Sequence, residues 1–79
     1  MRTEIFILKI LSDQAPRLLN VGTLWSDVLM VDGGIGYSGF KAALRALEEK
    51  EQVVVIHGED RDKAKITDAG MARLAENGL

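Results

Sequence analysis

Apolar and polar residues follow one another along this chain in blocks whose spacing separates helices from strands. In "TEIFILKILS", residues 3 to 12, Ile5, Leu8 and Leu11 share one helical face, and Ile7 and Ile10 an overlapping one. Thr3 is the N-cap candidate and Glu4 falls in the first turn. "DQAP" ends this helix, since Pro16 disfavours helical backbone for the residue before it. "RLLNV", residues 17 to 21, then reads as a brief strand. Thr23 is the cap candidate for "LWSDVLMV", where Leu24, Val28 and Val31 recur at helical spacing, although its last four residues also suit a strand. "DGG" closes that element in either case.

The spacing predicts a long amphipathic helix over residues 37 to 50, with Phe40, Ala43, Leu44 and Leu47 at i, i+3, i+4 and i+7. "VVVIH", residues 53 to 57, is a β-branched strand, "GEDRDK" a polar turn, and "AKIT", residues 64 to 67, the returning strand of a hairpin with a charged tip. Thr67 or Asp68 caps a last helix, "AGMARLAE", in which Met71 and Leu74 stand three apart and which "NG" terminates. No internal repeat or low-complexity segment interrupts this order.

Seventy-nine residues predict a single domain, 1 to 79, small enough that its one core must be used efficiently. The composition, 47% hydrophobic and 28% charged with one Pro, is that of a folded chain. No Cys and a single His leave neither a disulfide framework nor a zinc site of the Cys/His kinds, so neither metal nor cofactor is expected. "IFILKIL" is too short for a membrane span and lacks a cleavage site after it, which predicts a cytoplasmic protein without a signal peptide. The net charge of −2 shows no overall basic excess, so the distribution of charge has to decide between partners.

One motif invites a dinucleotide. "GGIGYSGF" sets Gly34, Gly36 and Gly39 in the spacing G-x-G-x-x-G behind "DVLMVD", and Glu59 and Asp60 follow about 20 residues later. A Rossmann-type site, however, needs several parallel strands joined by crossover helices, and here "VVVIHGED" returns at once through a turn to "AKIT". The glycines then read as a turn between elements, with a dinucleotide-binding fragment as the minor alternative.

The order helix, brief strand, helix, glycine turn, long helix, hairpin, helix is that of a winged helix-turn-helix. "LRALEEKEQV" at 44 to 53 and "ITDAG" at 66 to 70 carry the resemblance. This region is similar to the recognition helix, wing and following helix of bacterial winged-helix regulators of the multiple-antibiotic-resistance (MarR) and phenolic-acid (PadR) types. Two positions depart from the pattern: Glu51 stands where those families end the helix with Gly, and the glycine turn before the helix is longer. The resemblance implies an α+β winged helix-turn-helix, a three-helix core with a β-hairpin wing and a C-terminal helix, and a transcriptional regulator that is not an enzyme.

The helix itself points the same way. At about 100° per residue, Tyr37, Ser38, Lys41, Ala42 and Arg45 gather opposite the apolar stripe. Lys41 and Arg45 stand one turn apart there, suited to phosphates and, for Arg45, to the O6/N7 edge of guanine. The helix start favours an anion. With Arg61, Lys63 and Lys65 of the hairpin, half of the chain's 10 Lys and Arg residues fall on two elements that this fold sets against one duplex. Glu59, Asp60 and Asp62 share the hairpin, and Glu48, Glu49 and Glu51 end the helix. The candidate DNA-binding residues are therefore Tyr37, Ser38, Lys41, Ala42, Arg45, Arg61, Lys63 and Lys65, in a footprint interspersed with acid. The runner-up is a winged-helix module that binds protein. Trp25, Phe6 and Phe40 read as core or partner-contact residues and His57 as a surface residue; no Ser/His/Asp or paired-carboxylate arrangement stands out. Symmetric DNA sites would require a homodimer, for which the first and last helices are the expected interface.

Overall fold

Each apolar block folds as one element of the computed structural model, which describes residues 2 to 78 apart from the side chain of Arg2. In chain order these are α1 (Arg2–Gln14), β1 (Leu19–Asn20), α2 (Val21–Val31), α3 (Tyr37–Glu49), β2 (Val53–His57), β3 (Asp62–Ile66) and α4 (Asp68–Glu76). Among the described residues the fold is α+β, with four helices and one three-stranded antiparallel sheet of order β1-β3-β2. That element and strand order is compatible with a winged-helix arrangement.

α1 is the hub, packing against α2, α3, α4 and β3. Ile7, Leu8 and Leu11 are fully buried, and Ile5 and Ile10 pack on the core beside them, so both apolar stripes expected of this helix are used. Thr3 is not its cap: it lies within the first turn, already helical and buried. α2 is a helix to its end, which settles the ambiguity of its last four residues. It begins at Val21, three residues before the sequence places it. Asn20 caps it in place of Thr23, its Oδ1 accepting from the Gly22 N–H at 2.8 Å, because Val21 joins Leu24 and Val28 on the buried stripe. Val31 faces out. β1 accordingly shrinks to Leu19–Asn20, paired with Ala64 and Lys63 of β3.

α3 buries Phe40, Ala43, Leu44 and Leu47, the stripe its spacing predicts. Its end explains the departure at Glu51. The Gln52 N–H donates to the Leu47 carbonyl at 2.9 Å and the Glu51 N–H to the Glu48 carbonyl at 3.0 Å, a Schellman pair that requires left-handed backbone between them. Glu51 supplies it at φ 61°, a conformation suited to glycine.

The hairpin turn is tighter than "GEDRDK". β3 starts at Asp62, and Gly58 to Arg61 form a four-residue connection closed by the Gly58 N–H on the Arg61 carbonyl at 3.1 Å. Thr67 caps α4, its Oγ1 accepting from the Gly70 N–H at 3.2 Å while donating to the Glu51 carbonyl at 2.7 Å, which ties α4 to the α3–β2 corner. Gly70 sits where that corner presses closest. A Cβ there would overlap the Gln52 carbonyl oxygen and lie 2.6 Å from Ile66 Cγ1.

One polar group lies inside. Glu4, 5% exposed, accepts from Arg73 Nη1 at 2.6 Å and from Lys50 Nζ at 3.2 Å, and Arg73 also donates to Gln52 Oε1 at 2.9 Å. Burial alone would raise the Glu4 pKa, but the hydrogen bonds and charges of Arg73 and Lys50 more than offset this and hold it below the ordinary 4.5.

Glu51→Gly relieves the left-handed strain and raises stability by about 1 kcal/mol, whereas Gly70→Ala overpacks the corner and lowers it by about 1–3 kcal/mol, both read from urea melts. A folded-state pKa held below 4.5 means that Glu4 contributes stability that is complete above that value and is lost as pH falls through the lower folded one. Glu4→Gln is therefore less stable than the parent by about 2 kcal/mol at neutral pH, reduced from the fully buried case by the exposure of Lys50. The gap closes in acid, and melts at both pH values check it; a gap that stays constant would remove Glu4 from the acid transition.

Candidate nucleic-acid interface

Because α1 occupies the centre, α3 buries a single stripe and leaves its opposite face outward. Ser38, Ala42 and Arg45 are exposed there and Lys41 is half-buried. The N-cap is Gly36, with no side-chain hydrogen bond and no acidic residue in the first turn, so the N–H groups of the helix start remain available to an anion. Tyr37 is about half exposed but committed on its other side. Its ring meets Trp25 edge-on at 5.3 Å and Phe40 at 6.1 Å, with Trp25 and Phe40 5.2 Å apart, a cluster that fixes the α2–α3 corner.

A groove of about 520 Å³ separates α3 from β2. Lys41, Ala42 and Arg45 line one part of it, Glu48 and Glu49 another, and Val55 and His57 form the strand side. His57 Nδ1 lies 3.2 Å from Asp62 Oδ2 across the hairpin. Lys63 and Lys65 of the hairpin point elsewhere. Residues paired across a ladder point to the same face, so Lys65 goes with Val54 and Lys63 with Ile56, on the sheet face opposite Val55 and Ala64. The structure thus gathers Lys41, Ala42 and Arg45 with Tyr37 and Ser38 on one helix, holds Arg61 in the hairpin tip, and turns Lys63 and Lys65 to the outer sheet face.

Among the described residues Lys41, Arg45, Arg61, Lys63 and Lys65 form no side-chain hydrogen bond or ion pair. Lys9, Lys50 and Arg73 do, with Asp13 at 3.3 Å and with Glu4 at 3.2 and 2.6 Å. The five cations singled out from the sequence are therefore uncommitted. Reading the sequence alone missed Val55 and His57 as groove walls. The signal lay in "DKAKI", where alternation of lysines with Ala64 and Ile66 marks the inner face and, through the ladder, assigns "VVVIH", which has no alternation of its own, its sides.

"DVLMVD" is helical rather than a strand, the glycine loop joins two helices, and the sheet is antiparallel, so the strand–loop–helix setting of a dinucleotide fingerprint is not formed at Gly34, Gly36 and Gly39. Gly39 instead packs on Ile35, where a Cβ would come within 3.4 Å of Cγ1. On α1 and α4, the expected dimer surface, Met71 is the one large apolar side chain exposed among the described residues. No described helix is long and apolar enough to cross a membrane. No protein-family model, curated protein or solved structure matches the chain.

The ring cluster makes a separate expectation for Tyr37. Tyr37→Phe keeps the ring contacts and leaves stability within about 0.5 kcal/mol, while Tyr37→Ala lowers it by about 1 kcal/mol. Thermal melts of the two variants measure this, and equal losses would shift the weight from the ring to the hydroxyl.

Proposed function

We propose that the chain is a winged-helix DNA-binding protein acting as a transcriptional regulator in the cytoplasm. In this reading α3 enters the major groove with Tyr37, Ser38, Lys41, Ala42 and Arg45, and the β2–β3 hairpin lies on the phosphate backbone with Arg61, Lys63 and Lys65. The observation that carries it is the set of five uncommitted cations on α3 and the hairpin, next to a helix start whose N–H groups are open. Phosphate contacts need cations that are not already neutralised, and a helix N-terminus adds backbone donors. The outward turn of Lys63 and Lys65 makes them flanking contacts, reached by a backbone that passes the hairpin, rather than partners of α3 in one groove.

A second reading rests on a specific observation as well. Glu48 and Glu49 share the α3 groove with the cations, Glu59 and Asp60 are exposed in the tip, and Val54 and Ile56 are exposed apolar residues on the outer sheet face. That mixture suits a protein-binding module.

Duplex binding followed by fluorescence anisotropy across a salt series separates the two. A regulator loses affinity as salt rises, and Lys41→Ala and Arg61→Ala each reduce the log–log slope by about 1, while Lys9→Ala leaves it unchanged. Absence of any binding tighter than roughly 10⁻⁴ M, the weak end of non-specific affinity, favours the protein-binding module.

A further inference from the structure

The sheet has two edges of different character. β1 is only two residues long and offers little to pair with. β2 is five residues of "VVVIH", without Lys, Arg, Asp, Glu or Pro, and its far side carries no strand. Which of its backbone groups face outward follows from the ladder. The Gln52 carbonyl accepts from the Thr67 N–H and the Gly58 N–H donates to the Arg61 carbonyl, so residues of that parity, Gln52, Val54, Ile56 and Gly58, bond inward to β3. Val53, Val55 and His57 then turn their N–H and C=O groups to the empty edge. Val53 is closed off at 2% exposure, whereas Val55 is half-buried and His57 exposed. The usable edge is Val55 and His57.

We infer that this edge pairs with the same edge of a second copy, antiparallel, about a two-fold axis through Ile56. Registers centred on any residue from Val53 to His57 keep outward residues opposite one another, and those centred on Val53 or Val54 rest on the covered Val53. Centring on Val55 requires the covered Val53 to bond, and centring on His57 sets Val55 against Glu59 of the turn. Centring on Ile56 uses both open residues: Val55 exchanges its two backbone bonds with His57 of the second copy, and His57 does so with Val55 of that copy. Ile56, 47% exposed in one copy, then meets its symmetry mate as a non-hydrogen-bonded pair, the closer kind, on the outer face.

Charge fits the same occupant. α3 runs opposite to β2, with Glu48 beside Val53 and Val55, so Lys41 lies toward the His57 end. A two-fold axis brings the Lys41–Arg45 part of one groove toward the Glu48–Glu49 part of the other, a self-complementary arrangement that an isologous interface demands. The pairing draws on the backbone of β2 and not on the duplex reading, which can fail without touching it. In the paired form the Lys41 and Arg45 face is covered, so a duplex and a second copy would compete for it.

Sedimentation velocity and a single cysteine test the register. The wild type shows concentration-dependent dimers, and Ile56→Lys, a change at an exposed position that sets like charges on the axis, weakens the association at least about tenfold while circular dichroism stays unchanged. The chain has no Cys of its own. Ile56→Cys therefore cross-links to a dimer on mild oxidation, because Cα atoms of such a pair stand about 4.5 Å apart, inside the disulfide range of about 4.4–6.8 Å, while Val54→Cys, opposite Gly58 in this register, does not. A wild type that stays monomeric up to roughly 1 mM, the weak end of specific affinity, overturns the inference. So does a dimer that persists in folded Ile56→Lys, or a Val54→Cys variant that cross-links as fast as Ile56→Cys.

Discussion

The burial of α1 on several sides at once is the constraint from which the other features follow. Its Ile7, Leu8 and Leu11 are completely enclosed, and each such side chain contributes about 1.5–3 kcal/mol of hydrophobic stabilisation. In a chain of 79 residues no second core is available to share that load. The buried Glu4 carboxylate adds direction to the non-directional apolar contacts. Its bonds to Arg73 and Lys50 fix α1 against α4 and against the corner where α3 ends. A buried ionic cluster of this kind contributes little net stability over an apolar replacement, and here its bonds join one turn of α1 to Arg73 of α4 and to Lys50 at the end of α3.

With α1 at the centre, each neighbouring element buries one side only. α3 gives Phe40, Ala43, Leu44 and Leu47 to the core and keeps Lys41, Ala42 and Arg45 outside. The sheet lays Val53, Ala64 and Ile66 inward and Lys63, Lys65, Val54 and Ile56 outward. The corner between α3 and β2 is held from three directions, by the Schellman bonds at Glu51, by the Thr67 hydroxyl on the Glu51 carbonyl, and by α4, which packs on the Gln52 carbonyl through Gly70. This corner is where α3 and β2 join, at one end of the groove between them.

Much of this was legible in the residue pattern. The i, i+3, i+4, i+7 stripe of α3 and the strand "VVVIH" are local features, and local propensity agrees with the tertiary result at both, while of the two cap candidates Thr67 and Asp68 the fold uses Thr67. The misses have local causes too. Thr23 and Asn20 are both acceptable caps by residue type, and the choice fell to Asn20 because Val21 had a place in the core. Thr3 has the chemistry of a cap, and nothing local reveals that the helix already includes it. Of the candidate site, the cations were legible as residues, but their division between the α3 groove and the outer sheet face was not, because it depends on strand register.

The order of the elements, the apolar stripes of α1 and α3 and the absence of thiol chemistry are written in the chain, since these depend on spacing and residue type within a few positions, whereas Val31 and Met71, expected on the stripes of α2 and α4, are exposed. The tertiary structure alone decided that Glu4 meets Arg73, that a glycine is required at position 70, and that β2 is left as an edge with Val55 and His57 turned outward. Those outcomes join residues up to 69 positions apart, and contacts at such separation are set by how the elements dock on α1, which no local pattern encodes.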